Sequence, residues 1–152
     1  DLDWSPDGSL IVAQTVGVNA TDNEIYLMDA DGSNQILLVD NLEGIIESPS
    51  FSIDSKEVIF TRDISGYSSG TGRQLDAHIF VIDISTQEIV DLSQNKPSGT
   101  NDTNPRFSPD GAHIIFENAS NISGSQKSVW MMNTDGSNRV KLYDNAEMPD
   151  WR

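Results

Sequence analysis

The sequence predicts an all-β fold of about three four-stranded units, and three observations support this. A short motif recurs as WSPDG from Trp4, FSIDS from Phe51 and FSPDG from Phe107, and a fourth aromatic residue, Trp151, follows in phase. The spacings of 47, 56 and 44 residues match the length of a propeller blade. Short runs rich in β-branched and aromatic residues follow each motif, and no window combines a helical period with caps. We therefore expect a β-propeller segment.

The elements of one unit follow in a fixed order. The innermost strand ends at the aromatic residue, and Ser-Pro-Asp-Gly predicts a turn, because proline pre-sets φ, aspartate caps locally and glycine accepts a positive φ. A second strand follows (LIVA, EVIFT or HIIFE), and then a third (EIYLMD, HIFVID or VWMMN). The segments DADGSN and NTDGSN predict type I′ Asp-Gly hairpins, with φ > 0 at both central residues, before the last strands QILLV and RVKLY.

The predicted strands are nearly unbroken apolar runs, such as VIF and IIF, rather than alternating patterns. Runs of this kind predict burial on both faces, as when each sheet packs between two neighbours. We place the blades at approximately residues 1–46, 47–102 and 103–148, and residues 149–152 begin the next blade. The whole chain, residues 1–152, is then one propeller segment.

The pattern Pro-x-[Trp/Phe]-Ser-Pro-Asp-Gly, followed by an apolar strand and a second strand ending in Asp-Gly, resembles the PD-type, WD-like repeats of TolB-like β-propellers. The resemblance covers essentially the whole chain, although the second copy has Ser52-Ile-Asp-Ser55 and lacks the later Asp-Gly. It implies a ring of about six blades, a non-catalytic protein-binding scaffold, and an extracytoplasmic location, periplasmic or secreted. Such propellers serve many roles, so the match specifies fold better than function.

Two other functions fit the same repeats. One is the substrate-gating propeller of a larger peptidase of the prolyl-oligopeptidase or tricorn type, whose catalytic domain is absent from this chain. The other is a structural or filament-forming repeat array. Further blades alone beyond these residues would favour the scaffold, whereas a following α/β-hydrolase domain would favour the peptidase.

Three blades make an incomplete ring, which leaves two blade faces without apolar cover. Either the chain is a fragment of a longer propeller, or two copies form a homo-oligomer that completes a ring. Both DLDW and PDWR are candidate innermost strands, and a self-contained half-ring needs only one of them. This observation favours the fragment.

The net charge of −15 makes nucleic acid a poor partner, because phosphate binding depends on clustered Lys and Arg. No apolar run reaches the roughly 18 residues that span a bilayer, so we expect no membrane insertion. A basic or neutral protein partner remains open. The chain has no cysteine, which excludes disulfides, a cysteine nucleophile and thiolate metal sites.

The candidate partner-binding residues lie in the longest predicted loops. In a propeller, the connections from strand two to three and from strand four to one share a face, and long loops on a rigid scaffold are common sites of function. RDISGYSSGTGRQLDAH, SQNKPSGTNDTNPR and NASNISGSQKS are the longest. From them we choose Tyr67, Arg73, Asp76 and Arg106, since aromatic and arginine side chains dominate interface energies.

Neither catalysis nor a cofactor is expected. Gly66-Tyr-Ser68-Ser-Gly70 matches G-x-S-x-G, but that chemistry needs a strand-to-helix elbow, and strands flank this loop on both sides. The segment from Asp29 to Asn34 hints at a calcium loop, yet its Gly32 is at position four rather than six. A plain hairpin turn is the simpler interpretation, with calcium as the alternative.

Overall fold

The computed structural model describes residues 1–15, 23–40, 44–65, 75–122 and 124–150. Within these ranges the regular elements are twelve β-strands, with no helix, and therefore no helix that could cross a membrane. The strands form three antiparallel four-stranded sheets, in each of which neighbours in sequence are also neighbours in space. This arrangement confirms the predicted all-β class and the three four-stranded units.

The bounds of the strands are as follows. The first sheet contains β1 (Leu2–Trp4), β2 (Leu10–Gln14), β3 (Ile25–Asp29) and β4 (Ile36–Val39). The second contains β5 (Ile46–Phe51), β6 (Glu57–Asp63), β7 (Ala77–Asp83) and β8 (Ile89–Asp91). The third contains β9 (Thr100–Phe107), β10 (His113–Ser120), β11 (Ser128–Asn133) and β12 (Val140–Asp144). The predicted blade limits at 46/47 and 102/103 fall inside β5 and β9.

The repeated motif forms the turn from the innermost strand to the next. Gly8 N–H donates to the Ser5 carbonyl at 2.8 Å, and the Asp7 carboxylate accepts the Ser5 hydroxyl at 2.6 Å. The hydrogen bond from Ser5 lowers the pKa of Asp7 to about 2, and two bonds from the residue after Gly8 add to this effect. Gly8 has φ of 74°, and in the second copy Ser55 adopts φ of 61° at the same position. The second copy of the motif therefore keeps the turn although it has serine in place of glycine.

The Asp-Gly turn differs from its prediction. Gly32 N–H donates to the Asp29 carbonyl at 2.8 Å, so Gly32 is the fourth residue of the turn rather than a central one. Gly32 and Asn34 have positive φ, whereas Asp31 does not. The carboxylate of Asp31 accepts the Ser33 N–H at 2.9 Å, a local bond that aspartate side chains commonly make in turns. The type I′ prediction, which required φ > 0 at both central residues, is wrong.

The outermost strands β4 and β12 each carry an irregularity in their pairing. Ile25 pairs with Val39 and the next residue, Tyr26, pairs with Leu37, which leaves Leu38 as an extra residue on β4. The same shift occurs on β12, where the extra residue is Leu142. The outermost strand of the first sheet and the outermost strand of the third sheet therefore each have a β-bulge.

Two apolar clusters hold the sheets together. One joins the first and second sheets and includes Val12, Ile25, Val58 and Phe60; the other joins the second and third sheets. The second sheet contributes to both, because Val58 and Phe60 belong to the first cluster and Ile59 to the second. The unbroken apolar runs thus have the two-sided burial that the sequence predicted.

Candidate protein-binding face

Three connections meet at one end of the sheets, which we call the loop face: the described ends of the β6–β7 connection (64–65 and 75–76), the β8–β9 connection (92–99), and the described part of the β10–β11 connection (121–122 and 124–127). Lys96 Nζ lies 2.6 Å from Asp76 Oδ1 and joins the first two connections. The Asn121 side-chain amide donates to the Leu75 carbonyl at 2.6 Å and joins the first to the third. The described parts of these connections therefore share one face, as the strand order predicts.

The predicted contact residues do not all lie there. Asp76 lies on the loop face with 45% of its side chain exposed, and Tyr67 and Arg73 lie outside the described residues. Arg106 is near the end of β9, beside the β9–β10 turn, and donates to the Pro105 carbonyl at 2.8 Å. Residues 100–107 form a strand rather than the predicted loop, so the loop placement of Arg106 is wrong. The structure does not bring Arg106 together with Asp76.

Asp76 is the exposed end of a short chain of charged side chains. His78 Nδ1 lies 2.9 Å from Asp91 Oδ2, and its Nε2 lies 3.3 Å from Asp76 Oδ1. Lys96 Nζ contacts the same Asp76 oxygen and donates to the Thr100 carbonyl at 2.5 Å. The lysine side chain is almost fully buried, with 5% exposed. Its charge is therefore directed at Asp76 rather than at solvent.

The electrostatics of the site keep Asp76 ionised. Burial alone would raise the pKa of Asp76, but the hydrogen bond and positive charge of Lys96 outweigh it, and His78 adds to their effect. The pKa of Asp76 consequently lies below its ordinary value. A half-exposed carboxylate of this kind accepts hydrogen bonds from a cationic side chain or an N–H group of a partner. Both ring nitrogens of His78 already face carboxylates, so the arrangement fits a structural role for His78 better than a catalytic serine–histidine pair.

A set of asparagine side chains holds the base of the β6–β7 connection. The Asn101 side chain on β9 accepts the Ala77 N–H at 2.9 Å and donates to the side-chain Oδ1 of Asn121 at 2.6 Å. Asn101 is buried, and Asn121 carries the chain of bonds on to Leu75. These amides tie the second sheet to the third beneath the loop face. No sequence pattern marks these residues, because only the packing of the second sheet on the third brings residues 75–77, 101 and 121 together.

A buried ion pair supports the third sheet just below this set. The Arg139 guanidinium donates to both carboxylate oxygens of Asp102, at 2.9 and 2.7 Å, and lies 4.8 Å from the ring centre of Phe116. Asp102 also accepts the Ser93 hydroxyl at 2.7 Å and the Asn118 side-chain amide at 2.7 Å. With both oxygens bonded, the carboxylate is tolerated at 0% exposure.

The carboxylates of the suggested calcium loop have partners of their own. Asp29 accepts the Asn34 side-chain amide at 2.6 Å, and Asp31 accepts the Ser33 N–H at 2.9 Å. Within the described ranges, no group of three His, Asp or Glu side chains is arranged to hold a metal ion. These bonds are what a plain turn requires, and calcium at this turn stays a sequence-based alternative.

The fold and this face define a class of protein. The innermost strands β1, β5 and β9 contact one another in sequence order, and each sheet extends outward from them as a four-stranded meander. This is the architecture of consecutive blades of a β-propeller.

Comparisons with known proteins agree with this class. No family model matches the chain. The Tol-Pal system protein TolB of Francisella tularensis subsp. mediasiatica is 32% identical over 110 residues, which cover 72% of this chain and 22% of that protein. The match thus spans about a fifth of the length of this curated relative. The chain is a TolB-like β-propeller segment.

Solved structures show the same fold. A putative TolB from Agrobacterium tumefaciens matches with a TM-score of 0.72 at 24% identity, over 98% of this chain and 52% of that one. TolB from Acinetobacter baumannii matches with a TM-score of 0.66 at 22% identity, over 93% of this chain and 31% of that one. The tricorn protease is also similar, with a TM-score of 0.62 at 12% identity, over 95% of this chain and 16% of that one. At these identities the likeness is one of fold.

Proposed function

We propose that this chain is part of a non-catalytic protein-binding scaffold whose partner docks on the loop face. The observation that carries the proposal is the anchored β6–β7 connection, where Lys96, Asn101 and Asn121 hold the segment that presents the ionised Asp76. A long connection with a rigid base has less freedom to lose on binding, so less of the contact energy is spent on ordering it.

The charge of the chain suits a basic partner segment. The net charge of −15 attracts cationic surfaces and speeds their association, and Asp76 offers one fixed carboxylate at the face. The curated relative is a Tol-Pal system protein, which supports a protein partner and an extracytoplasmic, periplasmic or secreted location for this chain. In this proposal the three blades form part of a ring of about six, and no cofactor takes part.

The absence of catalysis is also part of the proposal. The histidine nearest the loop face, His78, has each ring nitrogen facing a carboxylate at 2.9 or 3.3 Å, so neither nitrogen is left to activate a hydroxyl. Peptide and ester substrates incubated with the chain should show no turnover above a heat-denatured sample. Turnover that the substitution His78→Gln removes would contradict the scaffold.

The binding test compares two acidic residues that each have a lysine partner. Purified components of a Tol-Pal system are titrated onto the chain by calorimetry, with Asp76→Asn and the control Asp54→Asn. Asp54 lies 3.4 Å from Lys56 Nζ in the turn between β5 and β6, at the opposite end of the sheets from the loop face. We expect Asp76→Asn to weaken binding about tenfold, as loss of a charged hydrogen bond does, and Asp54→Asn to change it little. Equal effects of the two substitutions, or no binding of any component, would contradict the proposal.

A further inference from the structure

His78 is a buried histidine with a carboxylate at each of its ring nitrogens. It is 8% exposed, and its ring stacks on Phe80 with the ring centres 6.3 Å apart. Nδ1 lies 3.1 and 2.9 Å from the two oxygens of Asp91, and Nε2 lies 3.3 Å from Asp76 Oδ1. An ionised carboxylate only accepts hydrogen bonds, so each nitrogen needs an N–H to satisfy its neighbour. The doubly protonated imidazolium meets both requirements, whereas the neutral ring meets one.

The charged side chains around His78, in the part of the chain that the structure describes, come from four elements. Asp91 ends β8, Asp76 ends the β6–β7 connection, and Lys96 in the β8–β9 connection contacts the same Asp76 oxygen as the ring does. On β6, Arg62 stands opposite His78 in the strand register. The first sheet packs on this side of the second and contributes apolar side chains to the shared cluster. His78 therefore lies among two carboxylates and two cations.

Other acidic residues at this end of the sheets have contacts of their own. The two carboxylate oxygens of Asp63 each accept a backbone N–H of the β6–β7 connection at 2.7 Å. In the first sheet, the charge of Glu24 raises the pKa of Tyr26, and Asp40 adds to this effect. Tyr26 points away from the second sheet, because the residues on either side of it belong to the shared cluster. The charge beside Asp76 therefore depends on the lysine and the histidine that contact it.

Loss of one proton from His78 should release Asp76 rather than Asp91. Asp91 is the nearer of the two, contacts Nδ1 with both oxygens, and is itself fixed by the Ser93 N–H at 2.8 Å. The hydrogen bond at one ring nitrogen decides where the remaining proton stays, so the neutral ring keeps it on Nδ1. The Nε2 lone pair then faces Asp76 Oδ1, and that contact is lost.

We propose that His78 makes partner binding at the loop face depend on pH, so that a cationic partner binds more weakly in acid than above neutral pH. The inference rests on the proposed function, since the face and the partner are the same. Protonated His78 and Lys96 together balance the charges of Asp76 and Asp91. Without the proton, these four groups carry one net negative charge, which a partner's cation at Asp76 then meets.

The position of Asp76 does not depend on the histidine proton. Ile64 N–H donates to the Asp76 carbonyl at 3.0 Å, and the next residue, Ala77, donates its N–H to the Asn101 side chain at 2.9 Å. The backbone therefore stays in place when the ring contact is lost, and the change at the face is one of charge. Removal of one unit charge a few ångströms from a contact, in a partly exposed site, should change affinity about tenfold.

The free chain allows a test that needs no partner. The sequence has two histidines, so in the variant His113→Gln the ring signals of His78 stand alone. Above neutral pH, we expect nitrogen-15 NMR to show the His78 ring protonated on Nδ1. The carboxyl carbon signal of Asp76 should shift with the same midpoint as the ring. A neutral ring protonated on Nε2, a ring that does not titrate between about pH 5 and 8, or an Asp76 signal that does not follow it would overturn the proposal.

Calorimetry tests the effect on the partner. Purified components of a Tol-Pal system are titrated onto the original chain, His78→Gln and the control His113→Gln, at about pH 5.5 and about pH 8. His113 begins β10, at the opposite end of the sheets from the loop face. Glutamine can still donate to a carboxylate but has no proton that titrates. We expect about tenfold tighter binding at the higher pH for the original chain and His113→Gln, and little change for His78→Gln.

The outcomes separate this inference from the proposed function. A pH dependence that persists unchanged in His78→Gln, or tighter binding in acid, would overturn the inference and leave the protein-binding face in place. Absence of binding at both pH values would contradict the proposed function, and this inference with it. Circular dichroism verifies that His78→Gln is folded. If it is not, the ring tautomer and the Asp76 signal, which are measured with His78 in place, decide the question.

Discussion

Gly32 and Gly136 occupy the same position in the β3–β4 and β11–β12 turns. Comparing their substitutions by alanine isolates the energy of the contact between the β11–β12 turn and the second sheet. Both have φ of 83°, and both donate to the carbonyl three residues earlier, at 2.8 and 3.0 Å. They differ only in what surrounds them. A Cβ on Gly32 meets no atom within 4 Å, whereas one on Gly136 lies 2.5 Å from the Leu92 carbonyl oxygen.

The magnitudes follow from this difference. A non-glycine residue in the left-handed region costs about 1–2 kcal/mol, and alanine recovers about 0.4–1 kcal/mol through the unfolded chain. Gly32→Ala should therefore destabilise by about 1 kcal/mol. Gly136→Ala carries the same cost and must also displace the backbone at Leu92, for which overpacking adds about 1–3 kcal/mol. Leu92 N–H is bonded to the Ile79 carbonyl at 2.9 Å, so the displacement disturbs the second sheet.

Urea unfolding followed by far-UV circular dichroism measures both variants at one fixed protein concentration, because association shifts apparent stability. Gly136→Ala should lose about 1–3 kcal/mol more free energy of unfolding than Gly32→Ala, with unchanged m values. Equal losses would show that the Leu92 carbonyl moves at no energetic cost, and would contradict the inference that the β11–β12 turn packs tightly against the second sheet. A larger loss for Gly32→Ala would refute it outright.

Three further results are expected. Arg139→Ala should lower the free energy of unfolding by about 3–5 kcal/mol, because it leaves the buried Asp102 carboxylate without its cation. Lys141→Ala, at an exposed ion pair, should lower it by less than about 1 kcal/mol. Similar losses for the two variants in chemical denaturation would contradict this. The hydrogen bonds from serine hydroxyls hold the pKa of Asp7 and Asp83 at about 2 against the ordinary 3.8. The stability they contribute is full above pH 4 and is lost as pH falls towards 2, so melting temperatures should decline over that interval, and Ser5→Ala should flatten the decline. Far-UV circular dichroism should show β signal; helical content above about a fifth would contradict the fold.

The turns show what local sequence can and cannot predict. Ser-x-Asp at the first turn fixes its bonds within five residues, so the motif predicted the turn in all three copies. The left-handed positions were less predictable, because Ser55 in the β5–β6 turn and Gln87 in the β7–β8 turn have φ of 61° and 60° although neither is glycine. There the surrounding bonds, such as Gln87 N–H to the Asp83 carbonyl at 2.8 Å, outweigh the intrinsic preference.

The strand β9 was the main error, and its composition explains why. The stretch NDTNPR has the polar character of a loop, yet Asn101, Asp102 and Thr103 are all buried. Their polar groups are tolerated because residues distant in sequence supply partners, among them Arg139 at Asp102. No local pattern reveals a partner 37 residues away.

The geometry of the candidate binding face was predictable only in part, for the same reason. Loop length alone selected Asp76, because long connections mark candidate sites. Lys96 and Asn101 could not be selected, since their contacts with residues 76 and 77 depend on how the second sheet meets the third. Sequence periodicity predicts which strands exist; the relation between sheets determines which side chains meet.

The bulges at Leu38 and Leu142 also affect how copies of the chain associate at high concentration. Each interrupts the regular spacing of N–H and C=O groups along an outermost strand, and a foreign strand needs that spacing to extend the sheet. Amyloid-like growth, which adds strand to strand at such an edge, is therefore hindered around the perimeter of these two blades. Concentrated solutions of this chain should therefore be slow to form fibrils that bind thioflavin T through these two edges.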